Sequence, residues 1–422
     1  MFRKILANFG VRVATAALNL FLAILFSQVL GPEGKGQQSL LLTTIAIVII
    51  FEGFVGGAAL VYLSSRVGWL RLLIASNSWI LLVCILAFQF LVSSFQFESE
   101  IAIHIILLSA ISAITSVNSS LLLGKQHLKA YNVIQITVPV VTLIVALAQY
   151  WIWQTIYYQD ALYFAFGTAA LTSIILLASH WQDQQDQQTS WLEVWQKLFS
   201  LGLVNQLAHV LQLLSFRLTF YLLEKQGQAA GVGIMSNASS ITESIWLVAS
   251  SISLWQYAVI SNSTDVVYNQ QITEKLARYG MLVSLVVLCG FLLLPASFYG
   301  FVFGPAFVGI RPLMLVLAPG VWVFTYALIV GHYFSGMGKY WVNALASGVG
   351  LVVCYGFSSY LIADIGAIGA GWAMTASYCS TSLVVAFFFI NSGGRLTIFP
   401  QRSEIKLLIE RLGRSVKSKV NV

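Results

Sequence analysis

Arg217 stands in the stretch SFRLTFYLLEKQG, flanked by Phe216, Leu218, Phe220 and Tyr221, deep inside an apolar run. An ionised side chain at bilayer depth costs about 3 kcal/mol or more, so its presence asks for a role. Three further polar residues precede it. Asn205, His209 and Gln212 follow one another at spacings of four and three and share a helix face. At about 100° per residue, Arg217 lies roughly 80° round from His209, which widens the set into a polar stripe. Such a stripe must face a cavity or another helix rather than lipid. Two readings of Arg217 follow from its chemistry. A guanidinium lining a cavity binds a phosphate or an acidic sugar through its fork of N–H groups. Alternatively it is structural, paired with Glu243 across a helical hairpin whose apex falls near Ala230, or snorkelling outward beside Glu224.

Other residues of this kind are scattered along the chain. Arg12 stands near the start of the first apolar run, where it either receives a cytoplasmic head group or simply marks the inner side of the membrane. Glu52, in IVIIFEGFVGG, is a carboxyl within apolar surroundings and a candidate for coupling a proton or cation. For Glu52 the plainer alternative is a neutral side chain hydrogen-bonded to backbone opened by Gly53, Gly56 and Gly57. Asn237 stands with Ser239, Ser240, Thr242, Glu243 and Ser244 in a run polar enough that it must face away from lipid. Tyr221 and Trp246 are aromatics of these runs, a residue type that most often fills helix interfaces.

The elements that position these residues are dictated by composition. Of 422 residues, 58% are hydrophobic and 9% charged, so nearly every ordered segment lies against lipid or another apolar segment. The apolar runs show no alternation at a spacing of two, and the fold class expected is all-α, a polytopic membrane protein. Twelve runs of about 20 to 25 residues, the length that crosses a hydrocarbon core, fall near 10–30, 38–63, 70–95, 101–123, 131–153, 160–179, 198–223, 229–257, 279–303, 312–335, 341–362 and 366–390. Threaded through the membrane from a cytoplasmic N-terminus, they put all of the 22 Lys and Arg residues on the inner side except Lys35, Arg217, Lys225 and Arg311. That asymmetry supports an even number of spans with both termini inside.

Four domains are expected: a six-helix bundle over 1–180, a polar cytoplasmic linker over 181–197, a second six-helix bundle over 198–392, and a basic amphipathic tail over 393–422. The halves echo one another. LLLGKQHLKAYN before helix five resembles SGMGKYWVNAL before helix eleven, and LGPEGKGQQSL after helix one has a looser partner in EKQGQAAGVGIMSN after helix seven. Such duplication places a pseudo-two-fold axis along the membrane normal and favours a transporter with its site between two lobes. In the tail, Ile405, Leu408, Ile409, Leu412 and Val416 form an apolar stripe amid basic residues, which suits an anionic phospholipid surface and not nucleic acid.

The sequence holds no Gly-rich phosphate loop, nucleophile elbow, cofactor motif or metal-ligand cluster, and an enzyme is not expected. The four cysteines all lie in apolar runs, as packing residues. Taken together, the basic N-terminus, LGPEGKGQQSL, LLLGKQHLKAYN, SGMGKYWVNAL, twelve helices and the basic tail resemble the Wzx-type polysaccharide flippases, within the multidrug/oligosaccharidyl-lipid/polysaccharide exporter superfamily. The resemblance implies a multi-pass protein of the bacterial inner membrane. It would move undecaprenyl-diphosphate-linked oligosaccharide from the cytoplasmic to the periplasmic leaflet by alternating access, for O-antigen, capsule or exopolysaccharide, beside a periplasmic polymerase. It carries functional charge most directly onto Arg217 and then onto Arg12. Thr219 stands where many members have an acidic residue two positions beyond the arginine, which departs from their pattern. A cation-coupled multidrug exporter of the same superfamily is the alternative, with Glu52 and Glu243 as coupling carboxylates. A membrane glycan polymerase or ligase is a second, disfavoured by the short outer loops.

Overall fold

The computed structural model describes residues 2–94, 97–181 and 190–396. Residues 182–189, the tail from 397 onward, and the side chains of Arg12 and Asn205 lie outside that description. Backbone amides have no water to bond in hydrocarbon, so apolar segments satisfy them internally as helices. Among the described residues there is no strand. The order is α1 (Phe2–Glu52), a 3-10 turn (Gly53–Val55), α2 (Gly57–Leu63), α3 (Trp69–Ser93), α4 (Ser99–Gly124), α5 (Leu128–Trp153), α6 (Tyr158–Ser179) and α7 (Trp191–Lys225). It continues through α8 (Ala229–Glu243), α9 (Trp246–Ser261), α10 (Val266–Leu293), α11 (Ala296–Phe303), a 3-10 turn (Pro305–Phe307), α12 (Ile310–Gly336) and α13 (Tyr340–Asn391).

Two of these helices are broken inside. In α1, Gly31 has φ 68° and ψ −178°, a conformation open to glycine, and Pro32 disfavours helical backbone at the residue before it. In α13, Ile365 and Gly366 leave helical geometry together. A third interruption separates α8 from α9, whose axes differ by 47°. Eight helices among the described residues are long and apolar enough to cross a membrane, or nine with α8 and α9 as one bent span. Divided at the breaks of α1 and α13, and with the 35-residue α7 added, they reproduce the twelve expected segments. Two boundaries differ. Residues 191–197 belong to α7 and not to a linker, because Ser190 caps the helix by accepting the Glu193 N–H at 3.2 Å. The expected run 279–303 is likewise two elements, α10 starting earlier at Val266 and α11 following Pro295.

Burial is distributed as a membrane demands. Along α3, Leu70, Leu81, Ile85 and Leu86 are more than half exposed, whereas Ser76 is fully buried. The contacts fall into two compact units, one of residues 1–237 with 296–310, the other of 238–295 with 311–422. In the first, α3 to α6 pack around Leu60, Leu72, Ile105, Leu108, Leu121 and Leu122, and α7 lies on α1, α2 and α3. In the second, α12 and α13 approach so closely that a Cβ on Gly320 would stand 2.7 Å from Thr375 Cα. Asn343, the echo residue of the second half, staples α13 to α12 by giving its amide to Gly331 O and Ser335 Oγ, each at 3.0 Å. Its counterpart Asn132 leaves Oδ1 buried without a partner among the described residues, so the echo is one of sequence and not of bonding.

Candidate functional site

The polar residues of the first unit gather where α1 meets α7 and α8. The second half of α1 crosses α8 at glycines: a Cβ on Gly36 would lie 2.0 Å from Ala229 O, and one on Gly233 would lie 1.9 Å from Pro32 O. These glycines belong to LGPEGKGQQSL and EKQGQAAGVGIMSN, so the two loosely related stretches pack against each other. Hydrogen bonds run along both sides of the crossing. Asn237 Nδ2 donates to Ser27 Oγ at 2.7 Å, the hydroxyls of Ser39 and Ser236 meet at 2.8 Å, and those of Thr44 and Tyr221 meet at 2.8 Å. Lys35, only 7% exposed, gives an N–H to Gln38 Oε1 at 2.8 Å.

Arg217 lies one turn before Tyr221 on the same face of α7 and is half-buried. Its guanidinium carbon stands 5.4 Å from the centre of the Phe220 ring, and Nη1 reaches Phe216 O at 3.4 Å. Gln212 is half-buried on the same helix and His209 is exposed. Thr219 is fully buried, with no partner for its hydroxyl among the described residues. Neutral donors and acceptors therefore outnumber charges along this seam, with Lys35 inside it and Arg217 beside it.

Glu52 ends α1 at the 3-10 turn and points elsewhere. It is 2% exposed, and Oε1 accepts from Ser109 Oγ at 3.2 Å and Cys84 Sγ at 3.3 Å, on α4 and α3. Its other oxygen is buried with no partner among the described residues. The turn beside it is clamped by Trp79, which donates to Phe51 O at 2.9 Å, and by Gln206, which donates to Gly53 O at 3.1 Å. Glu243 belongs to the second unit, at the α8–α9 break, and accepts the Tyr378 hydroxyl at 2.8 Å. There Trp246, Phe324 and Tyr378 form an aromatic cluster, with Trp246 giving its N–H to Val321 O at 2.9 Å. Trp246 and Tyr221 are thus both engaged in packing and hydrogen bonding within their own units.

Sequence reading named Asn237 and Arg217 but missed Lys35, Gln38, Ser39 and Thr44. The signal was the run GKGQQS after Pro32, whose positions 35, 38 and 39 share one helix face. Arg12 and Asn205 lie outside the described side chains.

This arrangement occurs in a chain whose likeness to solved structures is extensive. One is the lipid II flippase MurJ in an inward closed conformation, with TM-score 0.69, 13% identity and coverage of 92% of this chain and 89% of that one. The chain shares its fold. An inward-facing multidrug resistance MATE family transporter of the MOP superfamily gives TM-score 0.68 at 12% identity, covering 90% and 94%. A point mutant of the Vibrio cholerae MATE transporter VcmN gives 0.63 at 11%, covering 91% and 94%. No protein-family model and no curated protein matches the chain. The all-α, multi-pass membrane architecture is thus shared with both flippases and multidrug transporters.

Proposed function

We propose that this protein is a flippase of the bacterial inner membrane, moving undecaprenyl-diphosphate-linked oligosaccharide from the cytoplasmic to the periplasmic leaflet by alternating access during surface polysaccharide assembly. The observation that carries this reading is Arg217, a half-buried cation within an apolar run, on the helix face that also meets the polar seam of α1. A guanidinium fork suits a diphosphate or acidic sugar, and hydroxyls and amides suit a glycan. Asn205, His209 and Gln212 extend that surface along α7, Asn237 continues it on α8, and Arg12 is assigned to reception of the head group on the cytoplasmic side. The breaks at Gly31, at 365–366 and between α8 and α9 supply places where spans bend during access exchange. A periplasmic polymerase is the expected partner, and the basic tail is assigned to anionic lipid.

Glu52 favours a second reading, a cation-coupled multidrug exporter. A carboxyl 2% exposed, with one oxygen unpartnered among the described residues, is a place where a proton or cation is taken up and released. One experiment separates the two. In cells whose surface glycan depends on this protein, Arg217→Ala should abolish glycan display while its level in the membrane stays at the wild-type value. Glycan display that survives Arg217→Ala, together with drug resistance that is lost in Glu52→Gln, would replace the flippase with the exporter.

A further inference from the structure

Lys35 stands in the first turn of the helix that resumes after the Gly31 break, at the end of a helix where the backbone dipole favours an anion and disfavours a cation. It is nevertheless buried, at 7% exposure. Neither ordinary explanation of a lysine at the edge of an apolar run applies. A snorkelling lysine carries its ammonium out to water, and the asymmetry of basic residues assigns the start of this helix to the outer side. Lys35 Nζ turns the other way, to Gln38 Oε1 at 2.8 Å, one turn further along the helix. A structural ion pair needs a carboxylate, and none among the described residues reaches this ammonium. Glu33 is the nearest in sequence, but two residues place it about 200° round the helix, where it is exposed.

What the pair has left to give is all of one kind. An ammonium has three N–H groups, of which Gln38 takes one, and Gln38, having turned its oxygen to Lys35, has its own NH2 group to donate. Both nitrogens flank the same oxygen, so they lie within about 5 Å of each other and can meet one acceptor together. The turn that carries them is fixed, since Ser39 Oγ lies 2.8 Å from both Lys35 O and Ser236 Oγ and ties it to α8. A buried cation that no carboxylate compensates weakens a fold, and is kept for what it binds. We propose that Lys35 and Gln38 form an anion-binding site on the outer side of the first unit, which receives a phosphate of the diphosphate cargo. The identity of that anion rests on the flippase reading, whereas the presence of an anion site rests on the burial and bonding of Lys35.

Thermal melting of the full-length protein in detergent, with millimolar inorganic pyrophosphate or with sodium chloride at the same ionic strength, tests the site. Pyrophosphate should raise the melting temperature of wild type by about 2 °C or more and leave that of Lys35→Met unmoved. Methionine occupies similar space without a charge, so Lys35→Met should itself melt no lower than wild type. In proteoliposomes it should transfer undecaprenyl-diphosphate-linked oligosaccharide about 10-fold more slowly, or slower still. An equal pyrophosphate shift in both proteins, or a shift in neither, would overturn the site. So would a Lys35→Met protein that melts below wild type with transfer intact, which would make Lys35 structural. Transfer lost in Arg217→Ala but equal to wild type in Lys35→Met would overturn its service to the cargo and leave the flippase reading standing. A wild type that transfers nothing, yet keeps the Lys35-dependent shift, would remove the flippase reading and keep the anion site. If Lys35→Met fails to accumulate, Lys35→Gln decides between the same outcomes.

Discussion

Arg217 and Glu52 bring ionisable groups into neighbouring helices, and the chain treats them differently. Arg217 spreads its guanidinium over Phe220 on a half-buried face, whereas Glu52 is enclosed by Cys84 and Ser109 with one oxygen unpartnered among the described residues. A third ionisable feature lies outside the spans, in the turn between α4 and α5. The rings of His127 and His180 lie 4.3 Å apart, and His180 Nδ1 lies 2.8 Å from Leu176 O. Burial, then the neighbouring His180 and Lys125, hold His127 below the ordinary imidazole range. A base whose folded-state pKa is lowered stabilises the fold above its unfolded pKa and withdraws that contribution as pH falls. Thermal stability should accordingly decline between about pH 7 and pH 5 by more in wild type than in His127→Gln. Parallel declines in the two proteins would refute a role for this contact. The difference between legible and hidden residues is also clearest at this scale. Arg217 announces itself because a charge in an apolar run is rare. Ser39 and Thr44 are ordinary helix residues until α7 and α8 place Tyr221 and Ser236 against them.

Lipid makes the elements the most legible feature of the sequence, since hydrocarbon thickness fixes the length of every run. Breaks are less visible. Gly31 with Pro32 reads as a loop between two spans, yet the helix resumes at once and α1 continues to Glu52. The interruption between α8 and α9 follows no proline or glycine at all. It coincides instead with the serine-rich stretch from Ser239 to Ser244, where side chains bond back to the helix: Thr242 Oγ1 reaches Ala238 O at 2.8 Å and Ser244 Oγ reaches Ile241 O at 2.6 Å. The crossing of α1 on α8 depends on Gly36 and Gly233, each facing backbone of the other helix. Gly233→Ala would drive a methyl into Pro32 O and should cost about 1–3 kcal/mol. A lower melting temperature together with lost transport is expected. Gly356→Ala, on α13 with nothing within 4 Å of the added atom, should leave both unchanged. Equal behaviour of the two variants would show that the crossing is loose.

On the scale of the whole molecule, a single chain carries a fold found in a lipid II flippase and in multidrug transporters. That fold was legible from twelve apolar runs and an asymmetry of basic loops. The grouping of its contacts was not, because the sequence boundary near 181–197 rests on polarity, while α7 and most of α8 are drawn into the first unit by glycine contacts and hydroxyl pairs. The first unit holds two cations at a seam of amides and hydroxyls, buried Lys35 within it and half-buried Arg217 beside it, and the proposed cargo rests on Arg217. Reconstitution tests that claim most directly. In proteoliposomes carrying a fluorescent undecaprenyl-diphosphate-linked oligosaccharide, the wild-type protein should transfer the lipid between leaflets. Arg217→Ala, reconstituted to the same level, should be slower by about 10- to 100-fold, as loss of a charge-assisted hydrogen bond implies. Equal transfer by the two proteins would contradict the account.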